Sequence, residues 1–187
     1  MLRTNLPFLS YIEELYQNQT NDRHITLRTF SPGDLLLKQG ELPFKLFILK
    51  SGIVKCYFYE ENAKGFINEF LSDGEITGEL ETIRGIPCLC NIEAISDVQA
   101  FAIDASIFNL LLEKDTNLNK LLLLTLTDRI INTSRKASIQ QLYKTEHGLK
   151  KVLDLQSQYG VNISKEDLAD YLGVTLRSLN RLLKDLK

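Results

Sequence analysis

Apolar and polar positions along the chain change rhythm twice. Phe8, Leu9, Ile12, Leu15 and Tyr16 recur at helical spacing and predict a short helix over 8–20. From Arg23 to about Ile103 the helical rhythm gives way to short β-branched and aromatic runs at 25–30, 35–38, 45–50, 53–59, 65–71, 90–95 and 98–103. Turn-forming groups separate them: Pro32-Gly33-Asp34, Gly40-Glu41, Ser51-Gly52, Glu61-Asn62, Asp73-Gly74 and Ser96-Asp97. Short strands at such spacing predict an antiparallel barrel, roll or sandwich, with Gly33, Gly40, Gly52 and Gly74 where turns need positive φ.

After Asp104 the pattern becomes helical and stays so. Residues 106–113 predict one short helix, and 117–143 one long helix without Gly or Pro, about 40 Å at about 1.5 Å per residue. The first half of that long helix is apolar nearly all round, at Leu118, Leu121–Leu124 and Leu126. Such a helix must be covered on more than one side. It is either the core helix of a monomer or a helix shared between the β-rich part and a partner subunit. In its second half the stripe narrows to Ile130, Thr133, Ala137 and Ile139. Three further helices are predicted at 148–158, 164–172 and 175–186. The fold class is therefore α+β, divided into a β-rich part with flanking helices (1–113), a long helix (114–143) and a C-terminal helical unit (144–187).

Composition adjusts this picture in three places. With 187 residues, 44% hydrophobic, and 22 Lys+Arg against 24 Asp+Glu, the chain is too apolar for disorder. The net charge of −2 argues against a nucleic-acid partner only if it is evenly spread. It is not: residues 144–187 carry +2, residues 1–143 carry −4, and 175–187 alone carry +3. The N-terminus has no secretory pattern, and the most apolar run, 121–126, falls far short of the roughly 20 residues of a membrane helix, so no membrane partner is expected. Cys56, Cys88 and Cys90 are an odd number, and Cys88-Leu89-Cys90 is too close for an ordinary disulfide framework, which points to a reducing cytoplasm.

The most specific signal lies in residues 164–183. Ser164 is an N-cap with Asp167 three residues on; Leu168, Tyr171 and Leu172 form an inward stripe; Ala169 permits close helix crossing. Gly173 ends that helix and Val174 tucks under the turn. Thr175 caps the next helix, whose Leu179, Leu182 and Leu183 face inward and whose Arg177, Ser178, Asn180, Arg181 and Lys184 face outward. This is the pattern of a helix-turn-helix; the plainer reading is a three-helix packing module with solvated cations. For DNA, Thr175 and Ser178 suit phosphate, Arg177 and Arg181 suit base edges, Leu176 suits a thymine methyl or the groove wall, and Ser164 is counted with them as DNA-binding.

With these parts in this order the chain resembles the Crp/Fnr family of bacterial transcription regulators. The resemblance rests on Gly33-Asp34, Gly40-Glu41, Gly52, Gly74-Glu75 and Gly78-Glu79-Leu80, and on Ile163 to Leu183. It implies a jelly-roll-like β-roll sensor, a long helix forming a two-fold homodimer, a winged helix-turn-helix on a near-palindromic double-stranded operator, and contact with RNA polymerase. The wing is expected to be truncated or absent here, since the chain stops beside the recognition helix. The family's phosphate cassette runs from Gly-Glu-Leu to an Arg-Ser pair; here Gly78, Glu79 and Leu80 are present, but Leu89 and Cys90 stand at the pair. These five residues make the candidate effector pocket, for an unknown small molecule, and the missing arginine predicts no cyclic AMP binding. Leu176 and Arg177 stand where well-known members carry Arg and Glu, so the half-site should differ from TGTGA.

Other chemistry is expected to be absent. No Cys precedes position 56, against an N-terminal iron–sulfur cluster, and His24 and His147 lack ligand-spaced neighbours for haem or zinc. Cys88 and Cys90 are expected as small roll residues, with an oxidant or soft-metal role as the alternative. Glu75, Glu79 and Glu81 are expected along one edge of a turn. No catalytic motif is present, so no enzyme is expected. The competing function is a β-roll ligand-binding or scaffold protein whose C-terminal helices bind protein.

Overall fold

Turn residues fix where each strand ends, and alternation within a strand decides which side chains go inward. The computed structural model of the chain describes residues 2–19, 24–59, 65–142 and 145–185, without the side chains of 139–142. The Glu61-Asn62 turn, the side chain of Ile139, Tyr143, Lys144, Leu186 and Lys187 lie outside the described residues.

The elements run β1 (Leu2–Arg3), α1 (Leu6–Asn18), β2 (Ile25–Phe30), β3 (Leu35–Leu37), β4 (Lys45–Ser51), β5 (Val54–Tyr59), β6 (Gly65–Leu71) and β7 (Ile76–Thr77). They continue with α2 (Glu79–Arg84), β8 (Asn91–Ala94), β9 (Val98–Asp104), α3 (Ala105–Lys114), α4 (Thr116–Leu142), α5 (Thr145–Tyr159), α6 (Lys165–Leu172) and α7 (Leu176–Asp185). Two sheets form, in the orders β1-β6-β5-β8-β3 and β2-β9-β4-β7. Among the described strands only the β1–β6 pairing is parallel. The short β1, β7 and α2 have too few residues to show a period, so no sequence pattern predicts them.

Strand β4 shows how the layers are built. Phe47 and Leu49 point between the sheets and pack with Leu36, Val54, Leu71, Ile92 and Val98. Leu46 and Ile48 point the other way, against Phe8 and Ile12 of α1, Phe108 of α3, and Leu118 and Leu122 of α4. A strand buried on both faces reads as a continuous apolar run, which is why 46–49 shows no alternation. A third cluster lies on the outside of the five-stranded sheet, where Ile53, Ile67 and Phe70 meet Leu149, Val152, Leu168, Ala169 and Leu179. The C-terminal helices therefore pack on the roll itself.

Helix α1 begins two residues before the predicted start because the Asn5 side chain accepts the Phe8 N–H at 3.2 Å and Pro7 is tolerated in a first turn. Helix α4 begins under Asp115, whose carboxylate accepts the N–H groups of Asn117 and Leu118 at 2.8 and 3.0 Å. The Tyr11 hydroxyl donates to the same carboxylate at 2.6 Å and holds it below its ordinary pKa. The roll covers one side of α4, at Leu118, Leu122 and Thr125. The other side is open: Leu123 is 66% exposed and Ile130 is 68% exposed.

Candidate nucleic-acid interface and the buried charge cluster

Helix α6 starts where the sequence places it, with Ser164 Oγ accepting the Asp167 N–H at 3.0 Å. It stops at Gly173, whose φ of +66° is a left-handed conformation that a side chain disfavours. The N–H groups of Gly173 and Val174 both donate to the Ala169 carbonyl, closing the turn. Thr175 then caps α7: its Oγ1 accepts the Ser178 N–H at 3.2 Å and its hydroxyl donates to Ser178 Oγ at 3.1 Å. Ser178 is engaged by this pairing, so its hydroxyl is less available than an outward placement implies.

Leu179 is fully buried, and Leu182 and Leu183 pack beside it. That leaves Arg177, Asn180, Arg181 and Lys184 on the other side of α7, with Leu176 at its first turn. Arg177 and Arg181 are one turn apart on one face and form no ion pair among the described residues. An open helix face with free guanidinium groups and a positive N-terminal end is chemically suited to phosphate and guanine edges.

The back of α6 is fastened to the roll. Lys55 on β5 reaches Asp167 at 2.9 Å and Glu93 at 3.0 Å. Burial opposes its charge, but the two carboxylates hold its pKa above the ordinary lysine value. Tyr171 packs against Phe70 with ring centroids 5.3 Å apart and the planes tilted by 38°. The Lys136 ammonium of α4 lies 4.8 Å from the Tyr171 ring and 5.2 Å from that of Phe66, and burial lowers its pKa. Nothing in the sequence pattern reveals this seat.

The second charged group is buried at the junction of roll and long helix. Gly78, at φ +88°, opens α2, and a side chain there would press on Leu37 and Leu46. Glu79 follows and is 1% exposed. Burial pushes its pKa up, while the Arg129 guanidinium of α4 opposes that shift. Arg129 pairs with Glu79, reaches Glu75 at 3.5 Å and donates to the Ile76 carbonyl. Arg3 joins the group through Glu69 and Glu75, at 2.7 Å each. Arg129 has no signal in the sequence, because one cation on a helix gives no period.

This geometry corrects one expectation. Glu75, Glu79 and Glu81 do not line one edge of a turn. Glu79 and Glu81 lie in the first turn of α2 and Glu75 precedes β7. Glu81 turns away to accept the Leu89 N–H at 3.0 Å. Cys90 lies two residues before Ile92, the β8 partner of Cys56, and the two thiols shift one another's pKa, Cys56 upward and Cys90 downward. Of the five candidate pocket residues, Gly78 and Glu79 stand at the α4 junction, Leu80 and Leu89 are 39% and 54% exposed, and Cys90 meets Cys56. Two surface cavities, about 480 and 560 Å³, are lined by other residues, among them Thr29 and Gln99 in one and Tyr57 and Asn91 in the other. Among the described residues no group of three His, Cys, Asp or Glu side chains is placed to hold a metal ion.

Comparison with known proteins bears on both regions. Residues 27–115 match the family model of the cyclic nucleotide-binding domain, and residues 162–187 match that of the bacterial regulatory proteins of the crp family. A human potassium/sodium hyperpolarization-activated cyclic nucleotide-gated channel 3 is 22% identical over 122 residues, 65% of this chain. The chain spans only 15% of that relative's length. Among solved structures, a c-di-GMP-responsive global regulator from Xanthomonas campestris superposes with a TM-score of 0.77 at 18% identity, over 95% of this chain and 90% of that one. A crp/fnr-family regulator structure from Eubacterium rectale gives 0.75 at 16% identity, over 95% and 82%. No described helix is long and apolar enough to cross a membrane. The two matched segments stand on either side of the long helix in the order seen in the crp/fnr-family structures, and the second, which matches the crp family of bacterial regulatory proteins, carries the exposed cationic face.

Proposed function

We propose that the chain works as a homodimer that reads a two-fold operator with α7, and that its β-roll acts on DNA binding through α4 without cyclic AMP. The observation that carries this reading is the Arg129 ion pair. In this chain the acidic end of the phosphate cassette already has a cation, supplied by the long helix itself. Leu89, at the family's arginine position, supplies none to a ligand. A buried phosphate without a counter-ion costs several kcal/mol, so cyclic AMP has no favourable seat. The same pair fastens α4 to α2, and coupling of this kind is typically worth about 1–3 kcal/mol.

A dimer is supported by the open side of α4. Leu123, Ile130 and Ala137 recur every seven residues, with Thr127 and Ser134 between them, and all are exposed. That is the spacing of a helix–helix seam. Two α7 helices related by such a seam read half-sites about 34 Å apart. Contact with RNA polymerase, a cytoplasmic location, a non-enzymatic role and the lack of haem or an iron–sulfur cluster belong to the same reading. The Xanthomonas campestris relative responds to c-di-GMP, a precedent for an effector other than cyclic AMP.

Calorimetric titration of the full chain with cyclic AMP tests the sensor half of this proposal. No heat of binding is expected at micromolar nucleotide, and saturable binding there overturns it. A mobility shift on a selected operator tests the reading half, with specific binding expected to disappear when Arg177 and Arg181 are both replaced by Ala.

A further inference from the structure

Cys56, Cys88 and Cys90 all belong to the roll, yet their surroundings differ. Cys88 is 4% exposed, and burial pushes its thiol up to about 11. Its backbone is bonded on both sides, to Gly40 and Glu41. It is a poor nucleophile held in a fixed place. Cys56 and Cys90 are both partly buried, and each perturbs the other's titration. Strand register explains this proximity. Cys56 pairs with Ile92 across β5 and β8, and Cys90 lies two residues before Ile92, on the same sheet face and diagonal to Cys56.

We propose that Cys56 and Cys90 form an oxidisable dithiol that hydroperoxides convert to a disulfide joining β5 to the segment entering β8. Cys90 is the attacking group. The hydrogen bond from Cys56 lowers its pKa, while that bond and burial raise the pKa of Cys56. The Cys90 thiolate attacks the terminal peroxide oxygen, the O–O bond breaks, and the departing alkoxide or hydroxide takes up the proton that Cys90 released. The Cys90 sulfenic acid is then attacked by Cys56 sulfur; the S–O bond breaks, and the leaving oxygen departs as water with the Cys56 proton. In sum, two thiols and one hydroperoxide give one disulfide, one alcohol or water, and one water.

Closing the bond moves the strand. Diagonal partners in an antiparallel pair lie about 7–8 Å apart, whereas disulfide Cα atoms lie about 4.4–6.8 Å apart. The β5–β6 register already slips between Cys56 and Tyr57, and a bulge is where a strand bends. Lys55, the neighbour of Cys56 on the opposite sheet face, holds Asp167 of α6. A shift of β5 therefore passes to the seat of the helix-turn-helix.

The test treats the full reduced chain with hydrogen peroxide, blocks remaining thiols with iodoacetamide and maps the tryptic peptides. The expected result is loss of two of the three free thiols, with peptide 56–64 joined to peptide 85–114 and the alkyl label on Cys88. Dithiothreitol should restore all three. Cys88→Ser should leave the cross-link in place, and Cys90→Ser should abolish it. A link between Cys88 and Cys90, or three thiols still free, overturns the proposal. Hydrogen exchange over 165–172 should speed up in the oxidised protein, and unchanged exchange overturns the transmission to α6.

Discussion

Two sets of arginines divide the work of this molecule. Arg129 and Arg3 are held among buried glutamates, and Arg129 reaches three acceptors at the junction of roll and long helix. Arg177 and Arg181 stand on an open helix face with no ion pair among the described residues. The side chain is the same, but its desolvation is not. A buried guanidinium is fixed by its partners and joins elements together; an exposed one keeps its donors free for a ligand. Charge that looks alike in the sequence is structural at Arg3 and Arg129 and open to a ligand at Arg177 and Arg181.

Replacing each set in turn should break the comparison cleanly. Arg129→Met leaves Glu79 buried without its cation and should lower unfolding free energy by about 3–5 kcal/mol in denaturant titration. Adding Glu79→Leu to that variant should restore most of the loss, because an apolar pair of similar volume is no worse than a buried ion pair. The pH dependence has a definite sign. The folded pKa of Glu79 lies above its ordinary value of 4.5. Stability from its protonation is therefore fully present below 4.5 and lost as pH rises through the folded pKa. The Arg129→Met deficit should accordingly shrink as pH falls from about 7 toward that window.

Arg177→Ala and Arg181→Ala should do the opposite. Each should weaken operator binding by about 1–3 kcal/mol, roughly fivefold to 150-fold, with unfolding free energy unchanged within about 0.5 kcal/mol. Ser164→Ala removes the α6 cap and should cost about 1 kcal/mol of stability. Glu41→Gln sets the lower limit. The side chains of Lys38 and Glu41 are 60% and 62% exposed in their pair, and the change should be smaller than any other here.

Much of the fold is legible in the sequence because its signals are local. Gly33, Gly40, Gly52 and Gly74 mark turns at φ of +93°, +83°, +91° and +80°, and the runs between them become the strands. Residues 164–183 specify the helix-turn-helix because each cap bonds to the N–H three residues on and the inward leucines recur at helical spacing. What escapes the sequence is long-range. Arg129 meets Glu79 across 50 positions, Lys55 meets Asp167 across 112, and Cys56 meets Cys90 only through the β5–β8 register. No periodicity encodes such meetings. The cassette Gly78-Glu79-Leu80 is visible as a motif, whereas its occupation by the protein's own arginine emerges only in three dimensions.

Binding-site selection with the full chain on random duplex DNA tests the central claim most directly. The account predicts enrichment of a two-fold symmetric sequence, with half-sites one helical turn apart and a guanine preference that disappears on Arg177→Ala or Arg181→Ala. Selection that enriches no sequence, or one indifferent to both arginines, would contradict it.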